Sequence, residues 1–167
     1  NERQLNALRR EYEIHQSQYQ RNQNRLEAYL SRHWPEVTYL LSSDSVALEQ
    51  LMMKYGSPEE VAVHATEAQQ LIKKASRSML KPEKIAAIVQ SAKKSLGVPC
   101  IEGEKQYLQA LAAEMNHSRL QRRTARKALE AEIDSDDQLT EMAKLIGKVT
   151  TATLLSFHVD PRNFECA

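Results

Sequence analysis

The hydrophobic positions near the N-terminus recur at alternating steps of three and four residues: Leu5, Leu8, Tyr12, His15, Tyr19, Asn22, Leu26 and Tyr29. This heptad spacing, held for about four heptads, predicts one long helix over residues 2–32. No glycine or proline interrupts it before Pro35, which ends it. His15 and Asn22 are polar members of the seam, so the seam is a weak one.

The next stretch, residues 35–99, predicts a cluster of short helices separated by caps and breakers. Ser57 opens a capping box with proline at the first helical position, Thr66 can cap the next helix, and Pro82 starts another. Gly56 and Gly97 are the expected helix stops.

A second long helix is predicted over residues 104–132. Leu108, Leu111 and Met115 open a seam on one face, and the same face then turns basic. The window 116–129 holds five basic residues and no acidic one: Arg119, Arg122, Arg123, Arg126 and Lys127. The window 130–141 reverses this balance, with six acidic residues and no basic one.

The C-terminal part predicts a helix-hairpin-helix. The pair Ser135 and Gln138 forms a capping box for a helix that runs to about Lys144. A tight hairpin over 146–149 and a last helix from Thr150 to about Phe157, stopped at Asp160-Pro161, complete the pattern. No strand is predicted, so the fold class is all-α. Two long helices, in segments 1–34 and 100–134, are predicted to form a coiled-coil-like stalk. The cluster of short helices occupies segment 35–99 between them, and the helix-hairpin-helix occupies segment 135–167.

Composition narrows the class of protein. With 167 residues, about one domain is expected. Only 4 glycines and 5 prolines argue against a sandwich or barrel. No apolar run is long enough for a membrane span, and no signal peptide is visible. Cys100 and Cys166 have no metal-binding or disulfide companions, which indicates a reducing, cytoplasmic compartment. The absence of an initial methionine indicates a piece of a longer protein.

Catalytic and metal motifs are absent from the sequence. It contains no GxGxxG, phosphate-loop, HExxH or GxSxG pattern, and its five histidines lie on separate segments. We therefore predict no catalytic residue and no metal ligand in this chain. The acidic run around Asp134–Asp137 is more typical of a solvated turn than of a metal site.

The basic stripe is the main candidate for binding. Arginines at helical spacing suit a phosphate backbone, because guanidinium groups pair bidentately with phosphate. The alternative, a solvated face neutralised by the acidic run, is about equally favoured. The hairpin adds weaker candidates, since its amides can face a phosphate. The predicted nucleic-acid-binding residues are Arg119, Arg122, Arg123, Arg126, Lys127, Gly147, Lys148 and Thr150.

The heptad of the first helix allows two kinds of pairing. It can form an intermolecular coiled coil, which predicts a homodimer, or an intrachain antiparallel pair with residues 104–132. Both helices span about 45 Å, so the lengths match. The predicted oligomerisation residues are Leu5, Leu8, Tyr12, Tyr19, Leu26 and Tyr29.

The stretch from Gly147 to Leu155, followed by Asp160-Pro161-Arg162-Asn163-Phe164, resembles a family of bacterial insertion-sequence transposases. This family has a RuvC-like DEDD catalytic domain and includes recombinases guided by a bridge RNA. The helix ending near Trp34-Pro35-Glu36 and the Lys54–Pro58 turn are similar to the family's upstream region.

The resemblance implies an internal helical linker plus the start of the C-terminal transposase domain. The four catalytic carboxylates, their Mg²⁺ and the serine nucleophile would lie elsewhere in the parent protein, so this segment needs no cofactor. The expected function of this segment is subunit association and binding of DNA or structured RNA. The alternatives are a purely structural oligomerisation module and a stand-alone helix-hairpin-helix DNA-binding adaptor.

Overall fold

A computed structural model describes residues 2–156, and these residues contain helices but no strand. The helices are α1 (Glu2–His33), α2 (Val37–Leu40), α3 (Val46–Tyr55), α4 (Pro58–Val63), α5 (Ala65–Ala75), α6 (Pro82–Lys93), α7 (Glu102–Asp134), α8 (Asp137–Ile146) and α9 (Lys148–Ser156). The all-α prediction is confirmed. The predictions made for Phe157, the 160–164 motif and Cys166 lie outside the described residues.

The chain divides into two compact units. One unit is residues 19–117, and the other combines the residues up to Gln18 with those from Ser118 onward. The boundary therefore falls inside both α1 and α7, and the predicted segments 1–34 and 100–134 each contribute to both units.

The unit of residues 19–117 buries an apolar core that includes Trp34, which is fully buried. Its indole Nε1 donates to Ser91 Oγ at 3.0 Å, so the one polar atom of the ring is satisfied. Other fully buried residues of this core include Leu26, Leu48, Leu51, Ile72, Ile88, Leu108 and Met115. In this unit α1 and α7 run antiparallel, since Tyr29 stacks on Tyr107 and His33 lies near Glu104.

Two predicted helix boundaries in this unit are confirmed. Gly56 ends α3 in the left-handed conformation, at φ 72°. Ser57 Oγ accepts a hydrogen bond from Glu60 N at 3.3 Å and so caps α4. The predicted capping box at Ser57 is only half formed, because the Glu60 carboxylate pairs with Lys105 instead.

Three details of the short helices differ from the prediction. Thr66 does not cap α5, which follows α4 directly through His64 with no side-chain cap. Helix α6 ends at Lys93, before Gly97, because the residues from Ser95 onward leave the helix to contact α1. The single turn α2 was not predicted, since four residues carry no measurable periodicity.

The segment from Ser95 to Val98 crosses the C-terminal end of α1. Val98 N donates to Arg32 O at 2.9 Å, and the His33 Nδ1 atom lies 2.7 Å from Val98 O. Glu36 holds the start of the segment: its Oε1 accepts from Leu96 N at 2.7 Å and its Oε2 accepts from Ser95 Oγ at 3.0 Å. Burial alone would raise the pKa of Glu36, but these hydrogen bonds outweigh burial and lower the pKa below 4.5.

We expect the Glu36→Gln variant to be less stable than wild type by about 1 kcal/mol at pH 7. The lowered pKa means that the Glu36 carboxylate stabilises the fold above its unfolded pKa, near 4.5, and loses this contribution as the pH falls through the folded pKa. The two proteins should therefore converge in unfolding free energy between neutral pH and about pH 3.5. Urea unfolding at both pH values checks this, and a gap that stays constant with pH would contradict it.

The other unit has a smaller apolar cluster. Its buried residues are Leu5 of α1, Leu129 and Ile133 of α7, Leu139 of α8, and Ala152 and Leu155 of α9. The capping prediction at its α7–α8 turn is wrong by one residue. Asp136, not Ser135, is the cap of α8, and its Oδ1 accepts from the backbone N–H groups of Gln138 and Leu139. A carboxylate at this position also suits the positive end of the helix dipole.

Candidate nucleic-acid interface

The buried face of α7 beyond residue 117 consists of Ser118, Ala125, Leu129 and Ile133. We expected the basic stripe to continue the seam of Leu108 and Met115, and this expectation is wrong. The small residues Ser118 and Ala125 continue the buried face, and at 100° per residue the basic side chains lie from about 25° (Arg122) to about 165° (Lys127) from its centre. The arginines therefore flank a complete core seam and need no buried anion.

Arg122 is the stripe residue that lies closest to the core. It is half-buried, and its Nη1 donates to Gln16 Oε1 of α1 at 3.1 Å. Arg119, one turn earlier, is half-buried as well. The Gln16 contact restricts the Arg122 side chain, so part of the conformational entropy of ordering it is already lost in the folded chain. The sequence carries no local signal for Gln16 as a partner of Arg122, because the two residues are 106 positions apart.

Arg126 is engaged by an acidic residue of its own helix. Its Nε lies 2.7 Å from Glu130 Oε1, and 58% of its side chain is exposed. The hydrogen bond and charge of Glu130 raise the pKa of Arg126. An exposed i,i+4 pair of this kind contributes only about 0.3–0.5 kcal/mol, so a phosphate can compete with Glu130.

Arg123 and Lys127 form the open part of the stripe. Both are exposed, and neither has an ion-pair partner within residues 2–156. They lie four residues apart, so their side chains are neighbours on the helix surface. Among the predicted residues, this pair is therefore the one most accessible to an anion.

The predicted hairpin is tighter than expected. Gly147 alone separates α8 from α9, at φ 86°, a backbone conformation that residues with a Cβ rarely adopt. Lys148 begins α9 and is paired with Asp134 Oδ2, and Thr150 is exposed on the first turn. Lys148 thus has a carboxylate partner in the folded chain, as Arg126 does.

Three residues of the acidic run contact the basic stripe, the hairpin or the start of α8. Glu130 pairs with Arg126, Asp134 pairs with Lys148, and Asp136 caps α8. These contacts fit the interpretation of the run as a solvated turn with capping duty. They leave Arg123 and Lys127 without a carboxylate partner, so screening of the stripe by this run is partial.

The heptad side chains of α1 lie inside the chain's own cores. Leu5 is buried in the cluster with Leu129, and Tyr19 and Leu26 are buried in the core of the 19–117 unit. Tyr29 packs partly buried against that core, Leu8 packs partly buried against the Leu5 cluster, and Tyr12 is half-buried. Of the two pairings open from sequence, the structure contains the intrachain one.

Self-association stays a prediction, but a dimer through this seam has to displace α7. The side chains that would form the intermolecular contact already pack against residues of the same chain. Burial of this apolar surface is the main contribution to the stability of each core, so opening it for a partner is unfavourable. A homodimer that leaves the fold intact needs another surface.

Within residues 2–156, no three histidine, cysteine, aspartate or glutamate side chains come together as metal ligands would. None of the helices described there has both the length and the apolar character of a membrane span. Comparison of the chain with models of protein families, with curated proteins and with solved structures gives no match.

Proposed function

We propose that this chain is a non-catalytic, nucleic-acid-binding part of a DNA transposase or recombinase, and that residues 119–127 of α7 contact the phosphates of DNA or structured RNA. The observation that carries the binding proposal is the exposed pair Arg123 and Lys127, which has no carboxylate partner within the described residues and lies in a window with no acidic residue. The transposase part of the proposal rests on the resemblance of residues 147–155 to that family.

The geometry of the stripe suits a run of phosphates. From Arg119 to Lys127 the helix rises about 12 Å, so its side chains can reach more than one phosphate of a strand. Arg122 is held by Gln16, and Arg126 can exchange Glu130 for a phosphate oxygen. We therefore expect two to four of the five side chains to contact phosphates, in the bidentate manner that guanidinium favours.

The second candidate function is a structural helical module without nucleic-acid contact. It is favoured by the two ion pairs that bind Arg126 and Lys148 to carboxylates of the same chain. In this alternative the stripe is a solvated face. The stand-alone helix-hairpin-helix adaptor is less favoured, because the lysine of the hairpin is engaged by Asp134.

Fluorescence anisotropy with labelled duplexes of two unrelated sequences and a structured RNA tests the proposal. The logarithm of the affinity should fall with the logarithm of the salt concentration at a slope of about −1.5 to −3.5. The two duplexes should bind with similar affinity, since phosphate contacts carry no sequence information. Absence of binding to all three at low salt favours the structural module instead.

A further inference from the structure

A cleft of about 380 Å³ lies between α5 and α6 in the 19–117 unit. One wall is a single face of α5, formed by Thr66, Gln69, Gln70 and Lys73 at helical spacing. These four residues carry hydroxyl, amide and ammonium groups, all of which can donate hydrogen bonds.

The opposite wall is apolar. It consists of Leu80 from the α5–α6 turn together with Pro82, Ile85 and Ala86 of α6. A mostly apolar cleft with polar side chains along one side suits an amphiphilic small molecule, and its volume lies in the range of about 300–1,000 Å³ that is usual for small-molecule sites.

The charge of the lining residues determines whether the cleft favours a negative or a positive ligand. Lys73 is the charged residue that lines the cleft, and no carboxylate is among the lining residues. The hydroxyl of Ser78 lines it as well. A ligand with a negative group therefore gains a charge-assisted contact here, and a cation does not.

The turn that supplies Ser78 and Leu80 is fixed in an unusual conformation. Arg77 and Ser78 are both left-handed, at φ 51° and 60°, although neither is glycine. Hydrogen bonds from Arg77 N to Lys74 O and from Ser78 N to Lys73 O hold them there. The wall is thus set by the fold itself, which reduces the cost of ordering it around a ligand.

We propose that this cleft binds a small organic anion with an apolar body, such as an arylalkyl carboxylate. The carboxylate pairs with the Lys73 ammonium, and the apolar body lies against Leu80, Ile85 and Ala86. The site is independent of the proposed nucleic-acid surface, because none of residues 119–127 lines it.

Methyl NMR of the full chain titrated with 4-phenylbutyrate, and separately with its neutral amide, tests this proposal. The carboxylate should shift the methyl signals of Ile85 and Ala86 saturably, and the amide should bind about three- to fivefold more weakly. Lys73→Met should weaken carboxylate binding by the same factor and leave amide binding unchanged. The matched control, Lys74→Met, removes a lysine that does not line the cleft and should bind both compounds as wild type does.

Several outcomes overturn the proposal. One is the absence of saturable shifts at millimolar ligand, and another is saturable shifts that map away from Ile85 and Ala86. Equal binding of the acid and the amide would show that the negative charge of the ligand does not contribute to binding. Equal weakening by the Lys73 and Lys74 substitutions shows general attraction to a basic helix end, and not a site.

Discussion

Replacing Arg123 and Lys127 with glutamine is expected to weaken binding to duplex DNA by on the order of 50-fold at low salt. The double substitution should also flatten the salt slope by about 1.5, because each lost phosphate contact removes close to one released counterion. Both side chains are exposed and have no ion-pair partner within the described residues, so their loss should leave the fold intact. Anisotropy titrations at several salt concentrations give both quantities.

The matched control is Lys93→Gln with Lys94→Gln. It removes the same two charges from exposed positions of the other unit. If net charge alone drives binding, both double variants lose affinity equally, which would contradict the assignment to α7. The control is expected to bind within about twofold of wild type.

Replacing Gly97 with alanine is expected to destabilise the chain by about 3 kcal/mol or more. A Cβ at this position would lie 2.2 Å from the backbone oxygen of His33 and 2.3 Å from its carbonyl carbon. Backbone atoms at the end of a helix cannot move aside as a flexible side chain does. The segment has to lift off α1, which breaks the hydrogen bonds of Val98 with Arg32 and His33.

Gly103→Ala is the matched control. No atom lies within 4 Å of a Cβ added there, and the residue is in the first turn of α7, so the change should be neutral or slightly stabilising. The single tryptophan, Trp34, is buried next to the crossing segment and reports unfolding by fluorescence. Unfolding free energies of the two variants within about 0.5 kcal/mol of each other would refute the close packing of Gly97.

The long helices were predictable because their signals are local and repeated. The heptad of α1 holds for many turns and the seam at the start of α7 for two, and Pro35 marks a local stop because it has no N–H for the next helical hydrogen bond. The roles of Gly56 and Ser57 were predictable for a similar reason. A left-handed glycine that ends a helix and a serine hydroxyl that caps the next one both depend on residues within one helical turn.

The boundaries that differ are those set by long-range contacts or by competing caps. Helix α6 ends early because Ser95 and Leu96 bond to Glu36, about 60 residues away in sequence. At α8 the sequence offers Ser135 and Asp136 as neighbouring caps, and the spacing alone does not decide between them. The chain uses Asp136, whose carboxylate accepts two backbone N–H groups.

For the candidate interface, the sequence predicts the charge of the stripe but not which cations keep a carboxylate partner. The Arg126–Glu130 pair could have been found from its i,i+4 spacing. The Lys148–Asp134 pair and the Arg122–Gln16 bond could not, because each depends on how separate helices pack. Within the basic stripe, which was already the main candidate, these contacts single out Arg123 and Lys127 as the residues without a carboxylate partner among the described residues.

The central claim, that residues 119–127 of α7 bind phosphates, is tested most directly by amide and arginine side-chain NMR of the full chain titrated with a short duplex. The account predicts saturable shifts at low salt that are largest at Arg123 and Lys127 and disappear as salt is raised. Shifts confined to residues 19–117, or no shifts at low salt, would contradict it.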